Sequence, residues 1–168
     1  SKIRRGIKKI KKIKKNFGNK QYLKIKKKFG FELTSDQKIA IEQINKDLKS
    51  NQKMFRLLQG DVGSGKTIVA LIASANVISS GFQVCLMAPT EILAKQHYTL
   101  TKKLFDDRIN IGLLTSKTER NERNNIIKNL INNKINILIG THSIFQEKIK
   151  YGNLGLIIID EQHKFGVK

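Results

Sequence analysis

Apolar residues along this 168-residue chain follow two different rhythms. In the first stretch Ile3, Ile7, Ile10 and Phe17, with Ile13 close by, recur at three- to four-residue intervals between lysines, the pattern of a basic helix. Gly18-Asn19 breaks it, and a second short basic stretch follows over 22–28. From residue 31 onward, short continuous apolar runs alternate with amphipathic segments. Thr34-Ser35-Asp36-Gln37 has the T-x-x-Q form of a capping box and predicts a helix carrying Ile41, Ile44 and Leu48. The run 55–58 predicts a strand leading into a glycine-rich turn and an apolar helix over 67–78. Strands are predicted over 82–88, 109–114, 135–139 and 154–159, and helices over 91–105 and 119–131. The strand segments are short, continuous and rich in isoleucine, as strands covered on both faces must be. Such alternation predicts an α/β fold: an open parallel sheet flanked by helices, with right-handed crossovers and a basic helical arm in front.

Charge sharpens the division. The chain carries 33 Lys and Arg against 13 Asp and Glu, a net +20, but residues 1–28 hold 14 of the basic residues and no acid. The remainder is only +6, so the arm (1–30) and the body (31–168) are distinct units. A basic arm points to a polyanionic partner, either nucleic acid or an acidic membrane surface. The plainer reading is a solvated helix whose isoleucine stripe packs on a neighbouring domain, and phosphate contact is compatible with it. A membrane-surface helix is the weaker alternative. One cysteine, Cys85, excludes an intramolecular disulfide and argues against a thiolate metal site. Apolar runs beyond the arm are too short to span a bilayer, and the arm has no continuous apolar core of a secretory signal. A soluble, reducing, cytoplasmic setting is expected, with no membrane partner.

Chemistry enters at two places. Gly60-Asp61-Val62-Gly63-Ser64-Gly65-Lys66-Thr67 fits G-x-x-x-x-G-K-[ST] at every fixed position, between a predicted strand and a predicted helix. Glycines let the backbone curl round phosphate oxygens with its N–H groups inward and a helix N-terminus behind them. Lys66 is expected to reach the β- and γ-phosphates and Thr67 to ligate Mg²⁺. The second place is the apolar run 154–159 followed by Asp160-Glu161, which sets carboxylates at the carboxyl edge of the sheet. Asp160 can hold the metal, usually through water, and Glu161 can polarise the attacking water.

These segments together resemble a known family. GDVGSGKT (60–67), MAPTEILAKQH (87–97), GTHSIFQ (140–146) and DEQHKFGV (160–167) look like motifs I, Ia, the GT segment and II of superfamily 2 helicases. FELTSDQ (31–37), RLLQGDVGSGKT (56–67) and LGLIIIDEQHKFGV (154–167) are similar, almost residue for residue, to the RecG family of branched-DNA translocases. The resemblance covers residues 31–168 and implies a RecA-like P-loop lobe using ATP and Mg²⁺. It implies that Gln37 reads the adenine edge, with Phe29 or Phe31 against the base, and that Gln162 and His163 couple nucleotide to DNA. It also implies that Thr90, Gln96, Thr141 and His142 run along a DNA strand's backbone, giving grip without sequence preference.

The same resemblance implies a bacterial, nucleoid-associated parent acting on forks and junctions. In it the arm links a DNA-binding wedge domain to the motor, and a second RecA-like lobe follows. The chain then corresponds to one motor lobe, near-inactive alone. Three departures from the family pattern stand out. Lys164 replaces an Arg, keeping the charge but losing the bidentate fork, Gly30 replaces a Pro, and Leu114-Thr115-Ser116-Lys117 lacks a customary glycine. The transcription-repair coupling factor is the nearest rival, but it resembles DEEH and a different motif Ia. A nucleotide-gated binding module without catalysis has little need of Glu161, and the DEQH run argues against a P-loop kinase or transporter ATPase.

Overall fold

The computed structural model describes residues 14–51, 65–142, 144 and 148–160. Within them five helices and four strands alternate: α1 (Lys20–Phe29), α2 (Ser35–Lys49), α3 (Lys66–Ser79), β1 (Gln83–Ala88), α4 (Glu91–Leu104), β2 (Ile111–Leu114), α5 (Arg120–Ile131), β3 (Ile137–Thr141) and β4 (Leu154–Ile159). The capping box is formed: Thr34 Oγ1 accepts from the Gln37 backbone N–H at 3.2 Å, and Gln37 Oε1 accepts from the Thr34 N–H at 2.9 Å. Ile41, Ile44 and Leu48, three and four apart, are the buried face of α2. The strand expected at 55–58 lies outside the described residues.

The strands form one parallel sheet in the order β2-β3-β1-β4. Val84 to Ala88 pair in register with Ile137 to Thr141, and both of these central strands are buried throughout. Alternate side chains serve opposite faces. Ile137 and Ile139 join Val84, Leu86, α3 and part of α4 in one core, while Leu138 turns to the other side with Leu114, Leu130 and Ile144. Helix α3 is apolar on nearly every side because it is the middle layer, packed between the sheet and helices α1 and α2. Burying an isoleucine or leucine side chain completely stabilises by about 1.5–3 kcal/mol, so this layer dominates the core.

Three expectations need correction. Residues 14–18 are not helical, so Phe17 does not continue a helical stripe; Ile3, Ile7, Ile10 and Ile13 lie outside the described residues. Phe17 is nevertheless buried, held by a Lys15 N–H bond to the Leu48 carbonyl at 3.2 Å and by Lys49 Nζ 4.6 Å above its ring. The helical part of the arm is α1, which packs Ile25 into the lobe and ends at Gly30 in the left-handed conformation. Second, β2 and β3 begin two residues later than expected. Asn110 and Asn136 bond reciprocally ahead of the ladder, N–H to carbonyl and N–H to side chain, both at 2.8 Å. Third, among the described residues β4 is covered on one face only. Leu156 and Ile158 pack on the core, whereas Ile157 and Ile159 are half exposed, because α5 lies against β2 at the far side of the sheet.

Candidate nucleotide and nucleic-acid site

Parallel pairing collects the ends of three strands at one edge. Residues after β1 (Thr90), at the end of β3 (Thr141, His142) and after β4 (Asp160) all emerge there. Helix α3 runs back along the sheet from that edge. Its 14 residues span about 21 Å at 1.5 Å per residue, the length of a six-residue strand, and a short turn joins its end to the start of β1. Its first turn therefore faces the same edge.

That first turn departs from the usual helix start. Gly65, the residue before α3, has φ +77°, which a side-chain-bearing residue rarely adopts, and no side chain caps the helix. No acid lies in the first turn, and Lys66 occupies its first position. The Gln37 amide nitrogen lies against Gly65, in space that a Cβ there would fill. Gln37 and Gly65, 28 residues apart in sequence, are thus neighbours. Phe29 and Phe31 stack edge to face with centroids 5.4 Å apart, and the Phe31 ring is largely exposed. Gly60, Asp61, Val62, Gly63 and Ser64 lie outside the described residues, as do Glu161, Gln162 and His163.

Asp160 is fixed from several directions. Its N–H donates to the Met87 carbonyl at 2.8 Å, extending the β1–β4 ladder by one bond. His142 Nε2 lies 3.2 Å from its carbonyl oxygen, and His97 Nε2 lies 2.8 Å from its carboxylate Oδ2. His97 is a residue the motif reading passed over. Its signal was available: Ala94, His97, Thr101 and Leu104 form the buried stripe of α4, and a histidine on such a stripe needs a polar partner. Among the described residues no cluster of three His, Cys, Asp or Glu side chains could cage a metal. Thr67 and Asp160 instead suit Mg²⁺, which takes one or two protein oxygens and completes its shell with phosphate and water.

The four residues assigned to strand contact divide. Gln96 and His142 are exposed, and Thr141 is buried at the end of β3. Thr90 is exposed but already employed as the N-cap of α4, accepting from the Leu93 N–H at 3.2 Å. The turn at 115–118 closes without its customary glycine: Thr115 N–H donates to Thr118 Oγ1, and Thr118 N–H to the Thr115 carbonyl. Among the described residues only Asn133, elsewhere, is a non-glycine with positive φ. Ser116 and Lys117 reach Glu91 at 3.1 and 3.2 Å, and the Lys117 hydrogen bond holds the Glu91 carboxyl below its usual range. Gly140 is needed at the end of β3, where a Cβ would strike the Leu114 carbonyl and Ile144. Burial pushes the Cys85 thiol up to about 12, so it stays protonated and is no nucleophile.

Comparison with known proteins adds to this geometry. The sequence pattern of DEAD/DEAH box helicases matches residues 34–168. ATP-dependent DNA helicase RecG of Aquifex aeolicus is 47% identical over 162 residues, covering 96% of this chain and 20% of the relative. RecG of Borreliella burgdorferi is 48% identical over 138 residues, 82% of this chain and again 20% of the relative. The chain thus spans about a fifth of the length of these relatives. A solved structure of RecG bound to a three-way DNA junction superposes with a TM-score of 0.88 at 44% identity, over 98% of this chain and 23% of that one. No helix among the described residues is long and apolar enough to cross a membrane.

Proposed function

The chain belongs to the DEAD/DEAH box helicase family, and from that premise we propose that it is the first RecA-like, nucleotide-binding lobe of a RecG-type DNA helicase. The parent remodels branched DNA at stalled forks and recombination junctions, in the cytoplasm. The observation that carries the nucleotide assignment is the start of α3, where left-handed Gly65 lies against the Gln37 amide at the edge that also holds Asp160.

The division of labour follows from the side chains. Backbone N–H groups of the 60–65 loop and the α3 terminus cradle phosphate oxygens, and Lys66 adds a point charge. Gln37 offers its amide to the adenine edge, and Phe31 offers its ring face. Mg²⁺, when bound, would neutralise charge on the phosphate oxygens, and Thr67 and Asp160 would hold it. Glu161 orients the attacking water, and Gln162 and His163 report the nucleotide state to the DNA side. Thr90, Gln96, Thr141 and His142 line the strand path. Residues 1–30 form the basic linker toward a wedge domain, and Lys24 and Lys28 dock α1 on Asp106. A second lobe of the parent supplies the arginine that completes hydrolysis, worth about 10³–10⁵ in rate, so this chain alone binds ATP and turns it over slowly.

The test is thermal unfolding of the 168-residue chain with and without Mg-ATP. A ligand bound only by the folded state at 100 times its Kd stabilises by about 2.7 kcal/mol. Lys66→Ala is expected to lose most of that protection. Equal protection of variant and parent chain would overturn the assignment.

A further inference from the structure

Asp160 stands where a strand ends, and its backbone is fixed by the Met87 carbonyl and by His142. Its carboxylate still has two side-chain torsions to settle. The bond that settles them comes from His97, 63 residues away on α4. At 2.8 Å the contact is a full N–H···O bond, and the two side chains are only 10% and 29% exposed, so water competes poorly for either end. The helix backbone at His97 is braced as well. His97 sits mid-helix on the buried stripe, and Thr101 Oγ1 donates to its carbonyl at 2.6 Å. The bond occupies one carboxylate oxygen, Oδ2, and leaves Oδ1 with the lone pairs that a metal-bound water requires.

We propose that His97 is a positioning residue for Asp160: its Nε2 aims the carboxylate at the nucleotide's Mg²⁺ and ties that aim to helix α4. The proposal rests on the nucleotide-lobe reading given above. Groups hydrogen-bonded behind a ligand fix its orientation, and their loss typically costs 10–100-fold in metal affinity. The tie also has a direction. Gln96, next to His97, is on the exposed side of α4, and Thr90 starts the same helix. Helix α4 thus carries both the histidine that holds Asp160 and two of the residues assigned to strand contact.

The test uses the 168-residue chain and a fluorescent ADP analogue, titrated in Mg²⁺ and in EDTA. The quantity read is the gain in affinity that Mg²⁺ confers. His97→Leu is expected to reduce that gain by about 10-fold while leaving the EDTA affinity unchanged. His97→Gln, whose amide can still donate toward Asp160, is expected to keep most of it. Asp160→Asn should match the leucine variant. Should His97→Leu fail to fold, His97→Asn, polar but too short to reach the carboxylate, takes its place. An unaltered Mg²⁺ gain in the leucine variant would overturn the proposal. So would losses of equal size in Mg²⁺ and EDTA, or equal losses in the leucine and glutamine variants, since these are signs of a purely structural histidine. Absence of nucleotide binding by the parent chain would remove the lobe reading, and the proposal with it.

Discussion

Helices α3 and α4 are both 14 residues long and both begin at the carboxyl edge of the sheet, yet their first turns are finished in opposite ways. Helix α4 completes itself. Thr90 caps it, Glu91 complements its positive end, and Lys102 and Lys103 complement the negative one. Helix α3 has none of these devices and starts with a left-handed glycine and a lysine. It is the more buried of the two, so its stability comes from packing, and its first-turn N–H groups are kept for something other than its own side chains. The difference teaches that α4 obeys the local rules for a helix start, whereas α3 breaks them beside a glycine-rich segment and depends on packing instead.

The largest effects should come from the layer that lets α3 dispense with caps. Ile72→Ala, at a fully buried position in α3, is expected to destabilise by about 2–5 kcal/mol. The same truncation on the exposed face of α4, Ile92→Ala, should stay within about 0.5 kcal/mol. Denaturant unfolding of both variants checks the contrast, and comparable losses would mean that α3 is not the central layer.

Effects at the two helix starts should be smaller and different in kind. Gly65→Ala places a side chain at φ +77° and against Gln37, so a cost of about 1–2 kcal/mol is expected, together with weakened nucleotide binding. Thr90→Ala should cost about 1 kcal/mol through the lost cap and leave nucleotide affinity unchanged. Nucleotide titration of the two variants separates them. A similar loss of affinity in both would erase the distinction between a ligand-serving and a self-serving terminus.

The smallest effect lies just past the far end of α4, at Asp106. Lys24 Nζ donates to its carboxylate at 2.9 Å, and this hydrogen bond holds the carboxyl below its ordinary 3.8. A depressed folded value means that the unfolded chain takes up the proton first as pH falls. The contribution is therefore complete above the ordinary value and fades as pH drops through the lower folded one. The groups are solvent-screened, so Asp106→Asn should lower the melting temperature only slightly near neutrality, and the gap should close in acid. A gap that persists unchanged at low pH would show that the ion pair with Lys24 is not its source.

Much of this was legible along the chain, for a physical reason. Capping boxes, the G-x-x-x-x-G-K-T loop, helix stripes and strand runs are relations between residues a few positions apart, and covalent spacing fixes them before any tertiary contact forms. That is why α2 has its box at Thr34 and Gln37, and why α3 and β4 fall where periodicity puts them. Tertiary structure decided what the local pattern leaves open. Phe17 looked helical because its spacing is helical, but burial against Lys49 and a bond from Lys15 to Leu48 hold it in a non-helical segment. Ile157 and Ile159 looked like core because they are isoleucines, but α5 crosses the other side of the sheet. Gln37 meets Gly65, Lys24 meets Asp106 and His97 meets Asp160 only because parallel pairing brings strand and helix ends to shared edges. Contacts of that range depend on the packing of the whole sheet, so they are properties of the fold and not of any window of the sequence.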